Sequence, residues 1–354
     1  MSLFFKITFP LLLAVILIIL AGIAKKKISV NSVVLLVITF ILLALIGYPV
    51  GDYFYKKKYN LDSNEYHTYL QLVPPVPNDY DSTKFNILCL GGSTTEFKDD
   101  KGRDWPGMVE NKLKTSFNLA NIKVYNLGRI WYTTQHSLTN YIQNLRKHKP
   151  DMIIIMHAIN DAWHNADFSR FSNGPFRIDY GHYLGPEAYM IKAPSLFSYL
   201  SDILSQLWYA DDVQVVNTKE FPGLTSFRNN LTTLIQLARI DSTEVLLMTQ
   251  PNLFKDTMSS EEIKSLTMLN KEAAGNGKRW SVVTGFNAMN AYNEAVVRTA
   301  EKEKTGLIDL DKKIPKTLEY FYDDVHYKGK SYDLIADIVA QRIYHHIIQD
   351  QAKK

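Results

Sequence analysis

The chain has 354 residues, of which 46% are hydrophobic, and its single cysteine excludes an intramolecular disulfide and any zinc site built on cysteine pairs. The formal net charge is +4, but residues 1–60 hold seven lysines and one acid, which leaves −2 for the other 294 residues. A nucleic-acid-binding protein carries its positive charge on the folded body. This distribution therefore argues against a nucleic-acid partner.

Two long uncharged runs open the chain, residues 7–24 and 28–51, with Lys25, Lys26 and Lys27 between them. About 20 apolar residues in a helix cross a hydrocarbon core of roughly 30 Å, so we predict a two-helix transmembrane hairpin over residues 1–58. The alternative is a cleaved signal peptide, but three lysines directly after the cleavage site and a second apolar run favour the hairpin. The lysines flank both sides of the predicted spans, so the positive-inside rule does not decide the orientation.

The rest of the chain begins with a polar linker, residues 59–84, and continues as one domain over residues 85–354. Short β-branched or apolar runs predict strands at Phe85–Leu90, Lys123–Leu127, Asp151–Met156, Glu244–Met248 and Gly306–Leu310. Helical patterns fall between and after them, at roughly 105–117, 134–147, 226–240, 286–303 and 331–348.

The alternation of strands and helices predicts an α/β fold. Continuously apolar strands are typical of a sheet covered on both faces. We expect a three-layer α/β/α sandwich of the flavodoxin-like type with a mainly parallel, five-stranded sheet. An aromatic stretch punctuated by glycine and proline at about 162–222 interrupts the alternation, and insertions of this length often form lids or binding loops.

Residues that can carry chemistry follow the predicted strands. Gly91-Gly92-Ser93 follows the first, Asn126-Leu127-Gly128 the second and Asn160 the third, while Asp323-Asp324-Val325-His326 precedes the last helix. In an open α/β sheet, sites form at the carboxyl ends of the strands. No Gly-Lys-Ser/Thr follows the first strand, so a Walker P-loop is excluded.

In this order and at these positions, the set resembles the SGNH hydrolase superfamily, also called GDSL-type esterases, and in particular its membrane-anchored members. The resemblance covers about residues 84–350. It implies that Ser93 is the nucleophile, His326 its general base and Asp323 the carboxylate that orients the imidazole. It also implies an oxyanion hole made by the backbone N–H groups of Ser93 and Gly128 and the side-chain amide of Asn160.

Two positions depart from the family pattern, because Gly92 and Ala158 stand where aspartate and glycine are usual; neither change touches a catalytic atom. Asp324 is an alternative to Asp323, although the three-residue spacing to His326 favours Asp323.

Other side chains near these motifs are candidates for binding substrate. They are Arg129, Trp131, His157 and Trp163. Each also has a purely structural interpretation. Arg129 could form a surface ion pair, the two tryptophans could simply pack in the core, and His157 could be a buried histidine with its hydrogen bonds satisfied. No carboxylate spacing suggests a metal site, and no cofactor is expected.

The resemblance implies a membrane-anchored serine esterase that removes O-acetyl or other small acyl groups from a glycan or glycoconjugate. A polysaccharide O-acyltransferase with the same triad and a lipase or lysophospholipase are alternatives, and a non-enzymatic glycan-binding membrane protein is less favoured. The expected partners are an acylated glycan or lipid and the membrane; the sequence indicates no particular protein partner. By analogy with such relatives, the catalytic domain is expected outside the cytoplasm.

Overall fold

The computed structural model describes residues 29, 31–34, 47–54, 79–169, 171–172, 174–183, 214–267 and 278–351. The chain divides into two compact units, residues 1–68 with 187–214 and residues 69–186 with 215–354. In the first unit, residues 31–34 and 47–54 are helical.

The predicted transmembrane hairpin lies largely outside the described residues: run 7–24 entirely, and run 28–51 for the most part. Across the part of the chain that is described, no helix is both long and apolar enough to cross a membrane. The hairpin, the linker at 59–84 and the domain boundaries stay predictions.

The second unit alternates strands and helices along most of its length. Its strands are β1 (Phe85–Gly91), β2 (Ile122–Gly128), β3 (Met152–Met156), β4 (Gln214–Val216, which begins at the last residue of the first unit), β5 (Glu244–Met248), β6 (Lys278–Trp280) and β7 (Gly306–Ile308). Its helices are α1 (Ser93–Glu96), α2 (Trp105–Thr115), α3 (Thr134–Asn140), α4 (Ile159–His164), α5 (Leu224–Ile240), α6 (Ser260–Ser265), α7 (Val282–Glu303) and α8 (Gly329–Gln351).

Five of the strands form one sheet in the order β2-β1-β3-β5-β7, and every neighbouring pair is parallel. The prediction of a five-stranded, parallel sheet is therefore confirmed. The register places Gly91 beside both Gly128 and Met156, and Met156 beside Met248. Because these residues end their strands, the loops that follow β1, β2, β3 and β5 leave the sheet from one edge.

The helices pack in two groups. In the first group α2 contacts α8. In the second α7 contacts both α4 and α5, and α3 contacts α5. All five residues of β3 are buried, as expected for a central strand with both faces covered. Burying one such aliphatic side chain contributes about 1.5–3 kcal/mol. The hydrophobic periodicity of strands and helices thus accounts for the layered core.

Some elements were not predicted from the sequence. The short helices α1, α4 and α6 and the two-stranded sheet of β4 with β6 have too few residues for a periodic pattern. The predicted helix 134–147 is α-helical only to Asn140, after which a π-helical turn covers Tyr141–Leu145 and a 3₁₀ turn Arg146–His148. Strand β4 and residues 162–164 at the end of α4 fall within the predicted insertion.

Candidate active site

Ser93 lies at the carboxyl edge of the central sheet, as the first residue of the one-turn helix α1. The first N–H groups of a helix have no acceptor within it. The Ser93 amide, preceded by Gly91 and Gly92, can therefore donate toward a ligand at this edge. The residue is 7% exposed, so it is accessible while largely shielded from water.

His326 meets Ser93 across 233 residues of sequence, and Asp323 lies behind the imidazole. Ser93 Oγ lies 2.7 Å from His326 Nε2, and His326 Nδ1 lies 2.8 Å from Asp323 Oδ2. A carboxylate at Nδ1 keeps that nitrogen protonated, so Nε2 is left to accept the serine proton. The structure thus brings the three predicted triad residues into one hydrogen-bonded chain.

Asp323 is 4% exposed and receives three hydrogen bonds from the short turn that follows it. Besides the imidazole, the backbone N–H groups of Val325 and His326 donate to its Oδ1, at 3.0 and 2.8 Å. Burial alone would raise the pKa of this carboxyl, but the hydrogen bonds and charge of His326 outweigh burial and the pKa is lowered. Asp323 is therefore held as a carboxylate.

Asp324 is turned away from the imidazole. Its Oδ2 accepts from the Thr267 hydroxyl at 3.0 Å, and its carbonyl oxygen accepts from the Leu253 N–H at 2.8 Å. Of the two adjacent aspartates, Asp323 is the one whose carboxylate lies 2.8 Å from His326 Nδ1.

Two aromatic rings stack on the His326 imidazole. The Phe97 centroid lies 5.0 Å from it with planes 21° apart, and the Tyr322 centroid lies 5.5 Å from it with planes 10° apart. Phe97 directly follows α1, while Tyr322 belongs to the same turn as Asp323. The imidazole is therefore oriented by ring packing as well as by its hydrogen bonds.

The Asn160 side chain lies against the residue that precedes Ser93. A Cβ at position 92 would be 2.6 Å from Asn160 Nδ2, so Gly92 is what permits this close approach. Asn160 Nδ2 donates one hydrogen to the Tyr132 carbonyl oxygen at 2.9 Å. An amide nitrogen carries two hydrogens, and the second can serve an oxyanion at Ser93.

Gly128, the other predicted oxyanion donor, is arranged differently. It ends β2, and its N–H donates to Asn126 Oδ1 at 3.0 Å. A Cβ at this position would be 2.5 Å from the Glu96 nitrogen, so the glycine is needed for close packing of β2 on α1. In this geometry the Gly128 N–H is already hydrogen-bonded to the Asn126 side chain. It therefore does not fit the predicted role as a donor in the oxyanion hole.

Arg129 forms an ion pair at the surface. Its Nη1 lies 2.8 Å from Glu96 Oε1, while Glu96 Oε2 accepts from the Ile130 N–H at 2.5 Å. Glu96 therefore ties the loop after β2 to the nucleophile helix α1. This pairing corresponds to the structural reading of Arg129 rather than to an anion-binding role.

The three aromatic candidates differ in accessibility. Trp163 is 1% exposed and packs edge-on against Trp280 and Phe168, and His157 is 3% exposed with its Nε2 2.7 Å from the Ser137 hydroxyl. Burial lowers the pKa of His157 to about 3, so its imidazole stays neutral. The burial of both side chains corresponds to their structural readings, aromatic packing for Trp163 and a hydrogen-bonded buried histidine for His157.

Trp131 is the aromatic candidate that stays partly exposed. It has a positive φ of 65°, in the left-handed region that is strained for a large residue. Its ring packs at 5.0 Å from Phe171 and 5.5 Å from His164. The loop between β2 and α3 is thus held in an unusual conformation beside α4, the helix that carries Asn160.

Two supporting residues received no role from the sequence. Gln250, just after β5, accepts from the Ile159 N–H at 2.8 Å through Oε1 and donates through Nε2 to the Thr94 hydroxyl at 3.1 Å. It therefore links the residue after the nucleophile to the residue before Asn160. A polar side chain directly after a buried strand was the available signal.

Asp161 is the second of these residues and is completely buried. It accepts from the Thr134 N–H, from the Thr134 hydroxyl at 2.5 Å and from the Tyr180 hydroxyl at 3.2 Å. Burial outweighs these hydrogen bonds and raises the pKa of this carboxyl to about 7. Asp161 connects the asparagine segment with the start of α3 and with the insertion.

The arrangement fits acyl transfer through a serine. It contains a hydroxyl bonded to an imidazole, a carboxylate behind the imidazole, and two N–H donors beside the hydroxyl. Within the described residues, no cluster of histidine, cysteine or carboxylate side chains is arranged to hold a metal.

Comparison with known proteins agrees with this chemistry. The model of the GDSL-like lipase/acylhydrolase family matches residues 89–334, which include every residue of the triad. No curated protein sequence matches the chain.

Solved structures to which the chain is similar include three bacterial proteins. A lipase/acylhydrolase from Enterococcus faecalis is 18% identical, with 74% of this chain and 96% of that chain covered and a TM-score of 0.44. An acetylxylan esterase from Geobacillus stearothermophilus is 14% identical, with 74% and 96% covered and a TM-score of 0.45. A GDSL-like lipase from Parabacteroides merdae is 13% identical, with 73% and 96% covered and a TM-score of 0.44. From its family match, the chain belongs to the GDSL-like lipase/acylhydrolase family and is a serine hydrolase that acts on ester bonds.

Proposed function

We propose that the protein is a membrane-anchored esterase that removes O-acetyl or other small acyl groups from a glycan or glycoconjugate, with Ser93, His326 and Asp323 as its triad. The observation that carries the assignment of the triad is the continuous hydrogen-bonded chain from Ser93 Oγ through the imidazole to Asp323. Each contact is 2.7–2.8 Å, within the normal range for such bonds.

In the acylation half-reaction, Ser93 Oγ attacks the ester carbonyl carbon while His326 Nε2 takes the hydroxyl proton. The carbonyl oxygen becomes an oxyanion, which the Ser93 N–H and the Asn160 amide stabilise. When the carbon–oxygen bond to the alcohol breaks, the imidazolium returns its proton to the departing oxygen. Asp323 stabilises the imidazolium during both transfers.

In the deacylation half-reaction, water replaces the alcohol. His326 Nε2 removes a proton from the water as its oxygen attacks the acyl carbon. The acid is released when Ser93 Oγ recovers a proton from the imidazolium. If a sugar hydroxyl attacks in place of water, the same steps transfer the acyl group, which is the alternative acyltransferase reaction.

The triad is tested by labelling the purified protein with a fluorophosphonate, which reacts with an activated serine. We expect the wild type to be labelled, Ser93→Ala to lose labelling completely and His326→Ala to lose nearly all of it. Ser116→Ala, an exposed serine at the end of α2, is the matched control and should label like the wild type. Undiminished labelling of Ser93→Ala would refute the assignment of the nucleophile.

The substrate class is tested with acetylated sugars and short-chain or long-chain esters. A glycan esterase should release acetate from an O-acetylated oligosaccharide, with no acetyl group appearing on an added sugar acceptor. Acetyl transfer to the acceptor would instead favour the acyltransferase, and a preference for long acyl chains would favour a lipase. Each of these three enzyme activities depends on the nucleophile, so Ser93→Ala should lose whichever one the wild type shows. A protein that only binds the glycan would show no activity that this variant could lose.

Membrane anchoring and a location of the catalytic domain outside the cytoplasm are part of the proposal, and the two apolar runs at the start of the sequence support anchoring. An engineered cysteine at Lys56 should react with an impermeant maleimide on intact cells. Cys89 adds little background, because it is fully buried and its pKa is raised by burial and by the charge of Asp104. Reaction only after permeabilisation would place the domain inside.

A further inference from the structure

A cleft of about 560 Å³ adjoins the triad on the side of the general base. One wall is the loop at 98–103, which follows the nucleophile helix, and the other is formed by residues 319–333 around the turn that carries Asp323 and His326. The walls are close, because Asp100 Oδ1 lies 3.7 Å from the position of a Cβ on Gly329. Small-molecule pockets have volumes of about 300–1,000 Å³.

The cleft is lined mainly by charged side chains, and several of these are already paired. Arg103 bridges Asp99 and Asp333, at 2.6 and 3.4 Å, and Lys330 pairs with Glu319. The exposed Lys98, Lys101 and Asp100 form no ion pair among the described residues of the chain. These three side chains therefore offer hydrogen-bond donors and an acceptor to a ligand.

Tyr322 connects this cleft to the catalytic imidazole. Its ring stacks on His326 and also lines the cleft, and 48% of the residue is exposed. In acylation the alcohol departs as His326 gives it a proton, so the alcohol portion of the ester must lie beside the imidazole. A group attached to the departing oxygen can reach the cleft by passing along the Tyr322 ring.

We propose that this cleft is the leaving-group subsite, and that it binds the sugar whose hydroxyl carries the acyl group. Sugar hydroxyls both donate and accept hydrogen bonds, and therefore complement the lysines and Asp100 together. The exposed tyrosine ring offers a surface on which a sugar ring can pack. The inference rests on the proposed function, since it assigns the cleft to the alcohol of that same reaction.

The test compares two acetyl esters that form the same acetyl-enzyme: mono-O-acetylated xylobiose and 4-nitrophenyl acetate. The variant Lys98→Met/Lys101→Met keeps side-chain length but removes both charges. We expect kcat/KM for the sugar ester to fall about tenfold, the size of one lost hydrogen bond to a charged group. For the aryl ester it should change less than twofold, and the rate of deacylation should be unchanged.

The control variant is Lys147→Met, an exposed lysine in the 3₁₀ turn before β3, at the opposite edge of the sheet. It should leave both esters unaffected. Three outcomes would overturn the subsite. The cleft variant could lose activity equally toward both esters, or it could lose activity toward neither. The third is a wild type that cleaves only the aryl ester. A selective loss for acetyl-glycerophosphocholine would also overturn the subsite, in favour of a lipid headgroup. Hydrolysis that persists in Ser93→Ala would refute the proposed function instead.

Discussion

The buried carboxyl of Asp161 should make the stability of the fold depend on pH. Burial raises its pKa in the folded state to about 7, above the ordinary value of 3.8 for an aspartate, so the folded state binds this proton more tightly than the unfolded chain. The stability due to protonation is fully present below pH 4 and is lost as the pH rises through 7. The difference between a pKa of about 7 and one of 3.8 corresponds to a total of roughly 4 kcal/mol of stability.

The measurable part of this effect falls between pH 5 and pH 7. Over that interval the linkage predicts that Asp161 lowers the free energy of unfolding by about 2 kcal/mol. Asp161→Asn cannot ionise, and its amide oxygen can still accept from the Thr134 N–H. We therefore expect the variant to lack this loss, so that its stability relative to the wild type improves as the pH rises.

The assay is urea unfolding of wild type and variant at pH 5, 6, 7 and 8, followed by tryptophan fluorescence. Asp241→Asn is the control, because hydrogen bonds from Arg146 lower the pKa of Asp241, whose titration therefore lies below this range. That control should show the same dependence on pH as the wild type. Equal pH dependence in Asp161→Asn and the wild type would refute the reasoning about burial.

Three further predictions concern the site. Asp323→Asn should lower kcat on the order of 10⁴-fold, as expected for loss of the correct tautomer, whereas Asp324→Asn should change it far less; ester hydrolysis followed against pH checks both. Asn160→Ala should lower kcat by about 10²–10³ with little change in KM, and an equally large effect on KM alone would contradict an oxyanion role. Gly92→Ala should displace the Asn160 amide and cause a comparable loss in kcat, while Gly174→Ala, with nothing within 4 Å of the new Cβ, should be neutral in the same assay.

The sequence allowed the five parallel strands to be predicted, because each is a short apolar run and the helices between them have a clear hydrophobic periodicity. It also indicated which polar residues follow the strands. It did not reveal the supporting hydrogen bonds of Gln250 and Asp161, because each depends on partners that come close only after folding. Gln250, for example, meets Thr94 across 156 residues.

Gly128 shows that a matching motif does not determine what the backbone N–H of its residues binds. Its position after a buried strand matched the expected motif, yet its N–H donates to Asn126 and its missing side chain allows β2 to approach α1. Where a backbone N–H points is decided by local φ and ψ and by competing acceptors, which residue types and spacing do not specify. The same holds for Trp163 and His157, whose burial follows from packing.

The amino-acid sequence by itself determined the class of fold and the order of its elements, because hydrophobic periodicity is a local property of the chain. The identities of the serine, histidine and aspartate came from the resemblance of the polar motifs at the strand ends to those of the SGNH hydrolase superfamily. Tertiary structure alone decided that Arg129 pairs with Glu96 and that a charged cleft adjoins the imidazole. Those features depend on side-chain directions set by contacts between distant segments, so no local pattern encodes them.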